Sequence, residues 1–292
     1  MLARTGQAAA GEDVSQPGLI DNGCRIATVV ADFTVAPALG SNVDAAIAGL
    51  RSGQMDANGV IEDIGQPSQF TSAPAVGCAV AKSGRTTGFT TASIGSIDTD
   101  VNVQYQKGCG SGKKFIVSYT NQVVINSNSF SAGGDSGSLI VTDDSAHRPV
   151  GLLYAGSSTT TIGNPIDEVL TKVGSSLGSN ITFVGSADNT GGCAGAAAGG
   201  VASLSLAELD RARGAKNAHA RRLMADPAVM AVGLGAHPEN PSEAVLMIYV
   251  EQGKPHLQIA SQLNGVRTQV IRTDRIRAFG WNESEKKSCS RQ

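Results

Sequence analysis

The chain has 292 residues, 41% hydrophobic and only 16% charged, with a formal net charge of −2. The near-balance of 23 basic and 25 acidic residues argues against a nucleic-acid binder, and no apolar run approaches the roughly 18 residues of a membrane span. Glycine, at 36 residues, is about 12% against an average near 7%, so a core of Val, Ile, Ala and Leu between many tight turns is expected.

Taken in order, Met1 to Val14 has no apolar h-region, so no secretory signal is expected in the chain as written. From Cys24 to Phe183 short β-like runs alternate with Gly, Ser, Asn and Asp. They are Arg25–Ala31, Cys78–Lys82, Phe89–Ile97, Val101–Gln106, Lys114–Tyr119, Gln122–Asn126, Ser138–Thr142 and Pro149–Ala155. Several lie about 8 to 12 residues apart, as in an all-β sandwich or barrel. One helix is predicted from Pro165 to Val173, capped by Asn164, with Asp167 and Glu168 suited to its N-terminal dipole. Gly185 to Gly200 is a run of small residues and reads as a linker.

Beyond it the charge changes sign. From Leu204 onward lie 13 of the 23 basic and 9 of the 25 acidic residues, so that part is +4 and the first 203 residues are −6. Ser205 with Glu208 three residues on forms a capping box ahead of an amphipathic helix to Met224. Strands are predicted at Val229–Leu234 and Ala244–Val250, a short helix at Leu257–Leu263 ending at Gly265, and a third strand at Val266–Ile271. The order α-β-β-α-β makes a small α+β module. Its arginines read as a solvated face rather than a nucleic-acid site, and Asn282 to Gln292 as a polar tail. The expected division is 1–184, a linker 185–203, a module 204–281 and a tail 282–292.

The five cysteines, Cys24, Cys78, Cys109, Cys193 and Cys289, include no C-x-x-C pair. A Cys78–Cys109 disulfide and separate reduced thiols both fit, so the compartment stays open. No metal site and no organic cofactor are implied.

The most informative run is Ser131-Ala132-Gly133-Gly134-Asp135-Ser136-Gly137-Ser138, leading into Leu139-Ile140-Val141. A nucleophilic serine needs an exposed hydroxyl on a tight turn, a neighbouring base and N–H donors for the developing oxyanion. Glycines on both sides allow that turn; a plain glycine-rich connection between strands is the alternative. The run resembles the Gly-Asp-Ser-Gly nucleophile motif of chymotrypsin-like serine proteases. Asn42-Val43-Asp44-Ala45-Ala46-Ile47 resembles that family's aspartate segment, and Pro149 to Gly156 its strand beside the specificity pocket. Lys82-Ser83-Gly84-Arg85-Thr86-Thr87-Gly88 together with Phe130 to Ser138 resembles a bacterial branch related to the plant NARROW LEAF peptidases.

The resemblance covers about residues 10 to 185. It implies a mainly β fold, a chymotrypsin-like double β-barrel with its first barrel incomplete, followed by the small α+β domain. It implies Ser136 as nucleophile, Asp44 as the carboxylate that orients a catalytic histidine, and the N–H groups of Gly134 and Ser136 as the oxyanion hole. Asp135 would prop the oxyanion loop by pairing with a buried group. Phe130 would be the pocket base and Tyr154, Ala155 and Gly156 one wall, which favours an apolar or small side chain over Arg or Lys. Partners would be peptides or proteins, with neither nucleic acid nor membrane.

The family's histidine precedes its aspartate, whereas the first of the four histidines here is His147. It is expected in a hairpin turn roughly 20 Å from Ser136, six residues of strand away. His219, His237 and His256 lie beyond the linker and read as surface residues. The expectation is a chain nearly inactive as written, and whether a histidine is encoded upstream of Met1 separates a truncated enzyme from its rival. The rival is a non-catalytic peptide-binding module that keeps the cleft.

Overall fold

The computed structural model describes residues 9–18, 28–38, 40–107, 112–193 and 204–279, and the architecture is mainly β. Three short strands, β1 (Asp13–Gln16), β2 (Thr28–Val35) and β3 (Ile47–Leu50), form an antiparallel sheet in the order β1-β2-β3. Six longer-range partners close on themselves: β4 (Ala79–Gly84), β5 (Gly88–Gln106), β6 (Lys114–Asn126), β7 (Leu139–Thr142), β8 (Pro149–Gly156) and β9 (Thr160–Pro165). Pairing runs β5-β4-β7-β8-β9-β6 and returns from β6 to β5, antiparallel throughout. Closure leaves no free edge within that ring.

Two pairs of predicted strands are single elements. Phe89–Ile97 and Val101–Gln106 join as β5, with Asp98 at φ 46° and register shifts on either side of Thr99. Buried positions alternate along β5 except across this irregularity, a bulge that bends the strand without ending it. Lys114–Tyr119 and Gln122–Asn126 join as β6 through Asn121, at φ 56°.

The helix α1 (Ile166–Leu177) follows β9, with Asp167 and Glu168 in its first turn. Its cap is Pro165, without a side-chain cap bond. Asn164 does not cap it: the residue ends up fully buried in β9, and its amide serves the backbone of Asp44 instead.

The C-terminal part adds α2 (Leu206–Leu223), β10 (Val229–Ala236), β11 (Ala244–Glu251), β12 (Gln262–Leu263), β13 (Val266–Thr273) and β14 (Arg277–Ala278). Ser205 caps α2 by accepting the Glu208 N–H at 3.2 Å. The Glu208 carboxylate turns instead to Arg211 and the Ala244 N–H. The expected helix at Leu257–Leu263 is absent. Asn264 and Gly265, at φ 50° and 75°, make a two-residue hairpin between β12 and β13, the turn for which Asn-Gly is the preferred sequence. β10 pairs with β5, so β13, β11 and β10 extend the barrel's sheet. Lys216 of α2 is buried and reaches Asp98 and Asp100 of β5 at 2.8 and 3.0 Å.

Cys78 is bonded to Cys193 across 115 residues. That corrects the Cys78–Cys109 pairing and the reduced-thiol alternative for these two residues. Cys193 lies at the barrel wall, where both cysteines belong to one core with Val80, Phe130, Ile140 and Leu153. Cys24, Cys109 and Cys289 lie outside the described residues.

Candidate active site

The turn from Ser131 to Ser138 sits between β6 and β7 and is held from several sides. The Gly137 N–H donates to Leu153 O of β8 at 2.8 Å, and the Leu153 N–H to Ser138 O at 3.1 Å. Asp135 N–H donates to Ala132 O and Ser138 N–H to Asp135 O. The N–H groups of Gly134 and Ser136 alternate with these bonded ones and find no acceptor among the described residues. Ser136 is exposed, and its hydroxyl has no hydrogen-bond partner among those residues either. Gly134 must be glycine: its φ is 103°, and a Cβ would lie 2.3 Å from Thr86 Oγ1.

Asp135 points the other way, into the protein. Its carboxylate accepts from Thr86 N at 2.7 Å, Thr87 N at 3.2 Å, Thr87 Oγ1 at 2.8 Å and Ala132 N at 2.9 Å. Burial works to raise its pKa, but the N–H groups of Ala132, Thr86 and Thr87 and the Thr87 hydroxyl outweigh that and hold it below the usual carboxylate range. Lys82 Nζ lies 3.7 Å from Asp135 and donates to Gly88 O at 2.8 Å and to Thr87 Oγ1. Burial pushes the Lys82 ammonium down against the pull of Asp135. Lys82 opens the Lys82–Gly88 run, but nothing in one sequence marks it as the buried partner of Asp135.

Asp44 is buried just before β3, between Val43 and Ala45, which pack on Ile166, Val169 and Val173. Asn164 clasps its backbone, accepting from Asp44 N at 2.9 Å and donating to Asp44 O at 3.0 Å. The same amide also reaches Leu152 O. Asp44 and the Ser136 turn are thus tied to adjacent residues of β8, Leu152 and Leu153. The Asp44 carboxylate accepts from the Tyr105 hydroxyl, and Tyr105 and Tyr119 share a bond of 2.6 Å. The Tyr119 and Tyr154 rings are 5.2 Å apart. This tyrosine cluster around Asp44 is scattered over β5, β6 and β8, so no local motif announces it.

Phe130 is fully buried, its carbonyl accepting from Thr90 Oγ1 at 2.7 Å. Tyr154 and Ala155 are buried in the adjoining core cluster, and Gly156 closes β8. His147 stands in the β7–β8 turn, near Thr142 O. His219, His237 and His256 bond to Asn264, to Glu239 N and to Leu257 O, and none of the four meets Ser136 or Asp44.

No family model and no curated protein matches the chain. Solved structures are similar to it. A glutamic acid-specific serine protease with a histidine triad in substrate binding is 27% identical over 51% of this chain and 73% of its own, at a TM-score of 0.34. Nocardiopsis protease is 18% identical, covering 58% and 79%, at 0.39. Cellulomonas bogoriensis chymotrypsin is 18% identical, covering 62% and 85%, also at 0.39.

Proposed function

We propose that the chain is a chymotrypsin-like serine peptidase in plan, with Ser136 the group that attacks a peptide carbonyl. The observation that carries the reading is the turn itself. An exposed, unbonded hydroxyl is flanked by two N–H groups without acceptors among the described residues, while the N–H groups of Asp135, Gly137 and Ser138 between and after them are bonded. Such donors stabilise a developing oxyanion because they are fixed before charge appears. The buried Lys82–Asp135 pair holds the loop from beneath. Asp44 takes the place of the orienting carboxylate, and Phe130 with Tyr154 to Gly156 the side-chain pocket. The resemblance to the NARROW LEAF-related branch belongs to the same proposal.

The chemistry would be acyl transfer: Ser136 Oγ bonds the peptide carbonyl carbon, the C–N bond breaks as the hydroxyl proton passes to the leaving amine, and water then cleaves the acyl–Oγ bond to release the acid and restore the hydroxyl. What the 292 residues do not supply is a histidine to take the proton. A lone serine is a weak nucleophile, and loss of a triad member costs on the order of 10⁴ to 10⁶ in rate. Turnover by this chain is therefore expected to be very slow. The alternative, a peptide-binding module, is favoured by the donor that the Asp44 carboxylate does have, the Tyr105 hydroxyl rather than an imidazole.

The test is a fluorophosphonate probe and an activated peptide ester applied to the folded chain and to Ser136→Ala. Slow labelling that Ser136→Ala abolishes supports the peptidase plan. Fast, Ser136-dependent hydrolysis overturns the missing-base part of it. No labelling alongside saturable peptide binding replaces it with the binding module.

A further inference from the structure

The last described segment of the chain lies along β8 beside the Ser136 turn. Thr273 anchors it: its hydroxyl bonds Ser157 Oγ at 2.5 Å and Thr159 Oγ1 at 2.7 Å in the β8–β9 turn. Ile276 is fully buried, and its carbonyl accepts the Gln104 N–H at 3.0 Å. The chain then runs antiparallel to β8, with Arg277 opposite Gly156 and Ala278 opposite Ala155. Finally the Phe279 N–H donates to Tyr154 O at 3.1 Å.

Two consecutive residues of β8 therefore have different guests. Leu153 bonds the turn at Gly137 and Ser138, while Tyr154 bonds Phe279. The Phe279 backbone is thus one strand residue away from the Ser136 turn. Its ring packs against the core cluster that contains Phe130 and Leu153. It uses the space left by a missing side chain, since a Cβ on Gly156 would come 2.4 Å from Phe279 Cζ.

We propose that the chain's own Ile276–Phe279 occupies in cis, as an antiparallel strand, the Tyr154–Gly156 edge of β8 that the preceding reading gives to a peptide, with the Phe279 ring in place of a bound side chain. The inference deepens the preceding reading and rests on it for where a substrate's reacting carbonyl would lie. The ligand class follows from the occupant. It is an extended peptide that adds as an antiparallel strand, with main-chain bonds giving affinity and one aromatic side chain giving selectivity. A tethered occupant competes at an effective concentration on the order of millimolar. The cis segment therefore suppresses binding of any external peptide.

The probe is a fluorescein-labelled peptide amide with the sequence Ile-Arg-Ala-Phe, titrated by anisotropy into the full chain, Phe279→Ala and Phe279→Pro. Phe279→Ala removes the ring, and Phe279→Pro removes the ring and the N–H donor. Both are expected to bind the probe at least tenfold more tightly than the unmodified chain, and a probe ending in Ala is expected to lose that gain. Affinities within twofold of one another, or no binding by any of the three, overturn the proposal. Should either variant lose its cooperative thermal transition, amide exchange in the unmodified chain decides: protection of the Phe279 N–H supports it, and exchange at the free-peptide rate overturns it. Ser136 labelling is read in parallel. Tighter binding without labelling keeps the peptide site and removes the peptidase plan, while Ser136 labelling with unchanged peptide affinity does the reverse.

Discussion

Lys82 Nζ and Asp135 Oδ2 are 3.7 Å apart, and neither side chain exposes any surface. The pair joins β4 to the turn that presents the Ser136 hydroxyl. Two charges taken out of water gain little net stability from each other, but removing one strands the other.

Lys82→Met is therefore expected to lower unfolding free energy by about 3–5 kcal/mol, and Lys82→Met with Asp135→Asn by clearly less, as read by urea denaturation. Equal losses in the single and paired variants would show that the charges are not coupled. Acid tests the same group. The folded Asp135 carboxyl titrates below its unfolded value, so its contribution is present above about pH 4 and fades as pH falls through the lower folded value. Asp135→Asn should flatten that acid-side slope.

Tyr105 carries the second prediction. Burial, then the charge of Asp44, raises its phenol far beyond the usual range, so it stays protonated as donor to Asp44. Tyr105→Phe removes that bond and the one shared with Tyr119. A loss of about 1–3 kcal/mol is expected, the cost of leaving buried polar groups with fewer partners. In alkaline titration, phenolate absorbance from Tyr105 should appear only with unfolding. A variant as stable as the parent would mean that the Asp44 carboxylate does not depend on Tyr105.

Barrel strands were legible in the sequence because a short apolar run bounded by Gly, Ser, Asn and Asp is a local signal: Cys78–Lys82, Ser138–Thr142 and Pro149–Ala155 each match a strand within a few residues. β9 was not, because Thr160-Thr161-Ile162-Gly163-Asn164-Pro165 carries Gly, Asn and Pro, all poor strand formers. Tertiary contacts overrode them, with β6 on one side and β8 on the other. Leu257–Leu263 had helical spacing, but Asn264-Gly265 downstream fixed a hairpin. The Ser136 turn could be read from its glycines. The partners that position it could not: Lys82 is 53 residues before Asp135, and Asn164 is 120 residues after Asp44. A single sequence gives no sign of such pairings.

Gly134→Ala tests the turn most directly. The residue sits at φ 103°, where a side chain is strained whatever space surrounds it. The added methyl would also press on Thr86 Oγ1, 2.3 Å from the ideal Cβ position. That hydroxyl bonds Gly133 O at 2.8 Å, so relief of the clash loosens the loop from a second side. A stability loss of about 1–3 kcal/mol is expected for a residue forced into a sparsely populated backbone region. Ser136-directed fluorophosphonate labelling should fall further than the stability does, because the Gly134 N–H turns away from its place. Thr86→Ala added to Gly134→Ala removes the clash and leaves the backbone strain, so it should recover part of the stability but not the labelling. If Gly134→Ala alone labels at the parent rate, the Gly134 N–H takes no part in the site.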